Sequence, residues 1–269
     1  EYSHFSGYTA LNEFIEGLPN KEDDYNESLR DFVASLYEKK CVNNEIYFID
    51  KTPRYYLIIP EIVSLFPDAK FIFLFRNPAH VFSSIISTFG NGRLNKLHGY
   101  QIDIQSGSDD LAVGYNLLGK KAYRLQYEDL IKEPERYVNE IFDYLEIKKQ
   151  PDVLTQFNQV ELSGSMGDPT GVKKYSSIST DSLRTWANVI DSSVKKYVML
   201  RFVKHISEAI FEIHGYSKTS ILEEVKRLNV RKVGFRDLLD LVLSGSISAL
   251  NLNVYFSVEG KWSRKKYIS

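Results

Sequence analysis

The chain has 269 residues, and its 34 Lys plus Arg against 35 Asp plus Glu leave a formal charge of -1. That balance excludes a global field suited to nucleic acid or an acidic polymer, so any anion site must be local. An apolar fraction of 43% marks a folded chain able to bury a core, and the single cysteine, Cys41, rules out an internal disulfide and fits a reducing compartment.

The first strand signature is "EIYFID" (45–50), which runs into "DKTPR". "RYYLIIPEIVSLFP" is long enough for a crossover helix, with Pro60 kinking it or marking its first turn. "AKFIFLFR" (69–76) is almost continuously apolar, as in a strand covered on both faces. It breaks off at Arg76-Asn77-Pro78, and Pro78 suits the first turn of a helix in "AHVFSSIISTF". Residues 88 to 108 have weak periodicity and read as an excursion or lid. "DDLAVGYNLLGKKAY" reads as a helix with Asp109 and Asp110 near its start and Gly119 near its end. A third strand signature, "KAYRLQY" (121–127), precedes the helix of "EPERYVNEIFDYLEI", where Val138, Ile141, Phe142 and Leu145 share a face.

A second lid-like stretch covers 161 to 180. The best helical pattern follows in "SSVKKYVMLRFVKHISEAIFEIHGYS", one apolar stripe from Val198 to Ile213 with Gly215 as its stop. Beyond it, "SILEEVKRLNV" and "FRDLLDLVL" look helical. The basic end "WSRKKYIS" could attract an anionic surface, a solvated terminus being the simpler reading. The expected organisation is one domain over 1–216 and a helical extension over 217–269 packed on it. No run approaches the roughly 18 apolar residues of a membrane span.

Strands separated by helices predict an α/β architecture, a mostly parallel sheet flanked by helices, with ligands beyond the carboxyl ends of its strands. On that expectation Asp50 to Arg54, Arg76 to Pro78 and Tyr127 to Asp129 share an edge. Arg76 could hold an oxyanion in bidentate geometry, and Ser84, about two helical turns further on, could return over the same anion beside the helix amides. The plainer alternative is a salt-bridged strand end with surface serines. Lys51 offers a compact charge for a transferring sulfuryl or phosphoryl group. Arg54 could pair with Glu61 or Asp129. Tyr127 is a platform for a base, while Glu128 and Asp129 read as caps for the next helix. No close His/Cys/Asp spacing suggests a metal site.

Taken in order, "DKTPR", "KFIFLFRNPAHVFSS", "YEDLIKEPE" and "GSMGDPTGVKKYSSISTDSLRTW" resemble the sulfotransferase superfamily that uses 3'-phosphoadenosine 5'-phosphosulfate (PAPS), nearest its bacterial and Golgi-type branch. The resemblance covers residues 45 to 190. It implies a three-layer, P-loop-NTPase-like sulfotransferase fold and places the 3'-phosphate of the cofactor on Arg76 and Ser84, with Tyr127 near the adenine. It also sets Gly167 and either Lys173 or Lys174 across the cofactor phosphates, and makes Trp186 a packing residue. The family's "PRSGTT" or "PKSGTT" loop is not among these residues; it is expected before Glu1, the alternative being a degenerate relative with a crippled cofactor site. A base must take the acceptor's proton; the resemblance points to Glu1 first and His4 second, and His98, in the 88–108 excursion, is a third candidate by position. His80 would face the cofactor or the helix interior, and His205 and His214 are structural or exposed.

The resulting expectation is transfer of a sulfuryl group from PAPS to a hydroxyl or amine, on a carbohydrate or small metabolite, with 3'-phosphoadenosine 5'-phosphate (PAP) as product and no metal. A noncatalytic nucleotide-binding or interaction protein, and a phosphotransferase, are the alternatives. The expected setting is the bacterial cytoplasm or else a Golgi lumen, with no nucleic-acid partner, no integral membrane segment and a homodimer as the candidate assembly.

Overall fold

The computed structural model describes residues 4–43, 45, 47–150, 152–156, 178–230 and 232–251. Among these, one compact unit ends at Ala69 and a second begins at Lys70.

The first unit holds α1 (His4–Glu16), α2 (Glu22–Lys40) and α3 (Ile59–Leu65). Glu22, Asp23 and Asp24 open α2 and Lys39 and Lys40 close it, each sign at the helix end whose dipole it complements. Its middle is tied to α3: Arg30 donates to the Leu65 carbonyl, and Asn26 donates to the Ser64 hydroxyl at 3.4 Å. Pro60 lies in the first turn of α3, where its missing N–H costs nothing.

Residues 45 and 47–50 do not form the expected strand. No ladder partner meets them among the described residues, and side chains hold the segment instead. Phe48 stacks on Tyr37 of α2 at 4.1 Å, and the Asp50 carboxylate accepts hydroxyls from Tyr55 at 2.6 Å, Thr52 at 3.2 Å and Tyr37.

The second unit contains β1 (Phe71–Phe75), α4 (Pro78–Thr88), α5 (Gln101–Gln105), α6 (Gly107–Leu118), β2 (Ala122–Gln126), α7 (Tyr127–Lys132) and α8 (Pro134–Leu145). After them come α9 (Val153–Gln156), α10 (Ser182–Val189), α11 (Ser193–His205), α12 (Glu208–His214), α13 (Lys218–Arg227) and α14 (Phe235–Asn251). The two strands are parallel neighbours, with Phe71 opposite Ala122 and Phe75 opposite Gln126. Tyr144 of α8 clamps their starts: its hydroxyl accepts the Phe71 N–H at 2.9 Å and donates to the Lys121 carbonyl at 2.8 Å.

The large, three-layer parallel sheet is therefore corrected. Among the described residues the fold is mostly α-helical with a two-stranded sheet, not the large P-loop-NTPase-like sheet expected. Nor is β1 covered on both faces. Phe73 and Phe75 are buried against Tyr115 of α6, each ring edge-on at 5.6 Å, while Ile72 and Leu74 alternate outward. The continuous apolar run concealed a period of two, because both faces of the strand carry hydrophobic residues.

The main core lies between helices. Phe82 and Ile86 of α4, Met199 and Val203 of α11, Phe211 of α12 and Val225 of α13 are essentially fully buried in it, with Leu94 from the supposed lid. The single long helix expected up to Gly215 is two helices. The chain leaves α11 at Ile206, and Ser207 caps α12 by accepting the Ile210 N–H at 3.3 Å. Gly215 is the stop, with φ of 80°.

Candidate functional site

The turn from β1 into α4 collects polar groups that the surrounding fold does not satisfy. Asn77 caps α4, its side-chain oxygen accepting the Ala79 N–H at 2.9 Å, and Pro78 fills the first helical position. The turn is held from behind by Glu128, the second residue of α7. Its buried carboxylate accepts the Asn77 N–H at 3.1 Å, the His80 ring at Nδ1, also at 3.1 Å, and the Tyr216 hydroxyl. Burial alone would raise this carboxyl, but the hydrogen bonds from His80, Tyr216 and the Asn77 amide outweigh it and hold the group at about 2. An ionised Glu128 makes His80 Nδ1 the protonated nitrogen. Tyr216 responds in the opposite sense, its hydroxyl pushed up by burial and by the carboxylate it serves.

Arg76 leaves the end of β1 over the face of Tyr127, its guanidinium carbon 4.4 Å from the ring centre. Its Nε is buried without a hydrogen-bond partner, as are His80 Nε2 and Ser83 Oγ on the first two turns of α4. Buried polar atoms are normally satisfied. His80 and Ser83 face the interior, whereas the Arg76 guanidinium, beside the amino end of an 11-residue helix, is the one of the three placed at the strand end where a hydrogen-bonding anion could meet it. A nucleotide phosphate fits the Arg76 guanidinium, while the Asn77 and Ala79 amides of the turn are already taken by Glu128 and by the Asn77 side chain.

Of the sequence candidates, Arg76 and Tyr127 are brought into contact, and Ser84 lies half-buried on α4, seven positions beyond its cap and so on the same side as Asn77. Trp186 is buried and packs on the His80 ring at 4.9 Å, the packing role expected of it. His80 faces the interior. His214 is buried against Phe75 at 4.6 Å. Lys51 is exposed in the first unit, and His4 begins α1. Glu1, Gly167, Lys173 and Lys174 lie outside the described residues.

The sequence marks Glu128 only as a helix cap and carries no signal for Tyr216. A glutamate in "YEDL" on the second residue of a helix carries no sign of burial, and Tyr216 joins it from 88 residues away.

The sulfotransferase family model matches residues 4–151 of this chain, more than half of it. The chain belongs to the sulfotransferase family. It is 30% identical over 142 residues to omega-hydroxy-beta-dihydromenaquinone-9 sulfotransferase Stf3 of Mycobacterium bovis and of Mycobacterium tuberculosis, an alignment covering 47% of this chain and 34% of each relative. Nodulation protein NoeE of Sinorhizobium fredii is 28% identical over 159 residues, 51% of this chain and 38% of that protein. The chain thus spans little more than a third of the length of the curated relatives it matches. No solved structure matches it.

Proposed function

We propose that this sulfotransferase-family protein moves a sulfuryl group from PAPS to a hydroxyl- or amine-bearing acceptor, a carbohydrate or small metabolite. The observation that carries this reading is the buried, unpartnered Arg76 Nε at the start of a capped helix, its guanidinium oriented by the Tyr127 ring. In this reading Arg76 and Ser84 bind the 3'-phosphate. Tyr127 offers its remaining face or edge to the adenine, and Gly167 with Lys173 or Lys174 crosses the phosphates. PAPS would supply a sulfur whose bond to the bridging phosphate oxygen breaks as the acceptor oxygen or nitrogen bonds to it, PAP leaving. The acceptor proton passes to a base, for which Glu1 and His4 are the candidates, while Lys51 balances the charge that develops.

An acceptor with a free hydroxyl agrees with the relatives in one respect: Stf3 is named for an omega-hydroxy substrate. The named relatives are bacterial proteins, and we assign this one to a bacterium. A phosphotransferase would depend on magnesium for turnover, and sulfuryl transfer would not.

The test is calorimetric titration of the full gene product with PAP, beside Arg76→Ala. Binding by the wild type and a loss of at least about tenfold in the variant are expected, since a charged hydrogen bond is removed. No binding by the wild type overturns the nucleotide assignment, and equal binding by the variant overturns the role of Arg76.

A further inference from the structure

Helix α14 turns its polar residues inward and its apolar residues outward. Asp240, 1% exposed, accepts from Arg93 Nε at 3.0 Å; buried Asp237 accepts the Ser192 hydroxyl and lies 3.8 Å from Lys195 Nζ; buried Ser244 accepts the His98 N–H at 2.9 Å. Positions 237, 240 and 244 form one helical stripe, so the face packed on the protein is hydrophilic. On the other side Phe235 is 78% exposed, Leu239 64%, Val242 59%, Leu243 56% and Leu238 48%. Singly exposed apolar residues need no explanation, but five on one helix face, over about 12 Å, form a patch.

The charge around the patch indicates what covers it. The only acids between 232 and 246 are Asp237 and Asp240, both turned inward. Arg236 is exposed beside the stripe, and Lys232, with 76% of its side chain exposed, stands just before it, its Nζ 3.6 Å from Asp191. The sequence from 252 to 269 continues the sign, with Lys261, Arg264, Lys265 and Lys266 against Glu259, and it carries Trp262. A second copy docked about a two-fold axis on this stripe would set Arg236 near its own equivalent with no acid of the helix to pair them. A negatively charged lipid surface matches both properties, apolar stripe and cationic border. No helix among the described residues is long and apolar enough to cross a membrane, so α14 would lie along the surface.

We propose that the outward face of α14 docks the protein on an anionic lipid surface, Phe235, Leu238, Leu239, Val242 and Leu243 entering the headgroup boundary while Arg236 and Lys232 meet phosphates. The inference is independent of the nucleotide site. Its test is cosedimentation of the full chain with phosphatidylcholine vesicles containing phosphatidylglycerol, against vesicles of phosphatidylcholine alone. Binding to the anionic vesicles that weakens with salt is expected. Leu239→Glu/Val242→Glu should lower the partition by at least about tenfold and Arg236→Glu by several-fold, both keeping the wild-type thermal transition because the positions are exposed.

No vesicle binding by the wild type overturns the proposal, as does equal binding to both vesicle types. A dimer in sedimentation velocity that Leu239→Glu/Val242→Glu dissociates, with no vesicle binding, reassigns the face to a second copy. Should the double variant lose its thermal transition, Arg236→Glu decides alone, and wild-type partition by that variant overturns the proposal.

Discussion

Glu128 touches no predicted ligand group, yet it fixes the turn that carries Arg76. It joins three elements through one carboxylate: the β1–α4 turn at Asn77, α4 at His80 and the segment after α12 at Tyr216. Its folded state is held at about 2, below the ordinary 4.5, so the carboxylate binds fewer protons folded than unfolded between those values. The contribution is fully present above about pH 4.5 and is lost as pH falls toward 2, and it is worth about 3 kcal/mol. Asp50, Asp191 and Asp240 are lowered as well, so the wild-type curve alone does not isolate Glu128. Urea unfolding of wild type and Glu128→Gln across pH 2 to 7 should show a difference that is largest at neutral pH and shrinks through that window. A difference independent of pH would remove the carboxylate's charge from the account. The Arg76→Ala titration belongs to this scale too, because Arg76 is the group whose missing partner makes the site.

At the scale of elements, local rules located ends better than identities. Pro78 and Asn77 open α4, Gly119 follows α6 and Gly215 follows α12, each readable from side-chain chemistry within a turn. What failed depended on neighbours. The 45–50 segment has strand composition but no ladder partner among the described residues, and the 88–108 stretch, aperiodic as a sequence, delivers Leu94 and Leu97 to the core. The connection from α4 into that stretch is tight at Gly90, where a Cβ would stand 2.3 Å from the Arg93 carbonyl oxygen and 2.7 Å from that of Ile86. Both obstacles are backbone, so Gly90→Ala should destabilise by roughly 1–3 kcal/mol, measured as a lower urea midpoint. A substitution without effect would mean that the turn opens freely. For α14 periodicity marks an amphipathic helix, while only its hydrogen-bond partners, Arg93, Ser192 and His98, say which side faces in.

At the scale of the molecule, stability of the second unit rests on helix packing. Phe82 of α4 stacks on Phe202 of α11 at 5.1 Å, and Met199 is fully buried in the same cluster. Met199→Ala should cost about 2–5 kcal/mol with the urea m-value unchanged, since it opens a cavity without altering the surface exposed on unfolding. By itself the sequence determined the family, through motifs in a fixed order, and the ends of most helices, because both are local properties of neighbouring residues. It also singled out Arg76, Ser84 and Tyr127 as an anion and base site, of which the structure joins Arg76 to Tyr127. The tertiary structure alone decided that β1 and β2 form a two-stranded sheet in a mostly helical fold, that His80 serves Glu128, and that α14 faces outward with its apolar side. Those outcomes depend on which surfaces meet across dozens of residues of chain, and neither strand pairing nor the burial of a charge is encoded in the residues flanking it.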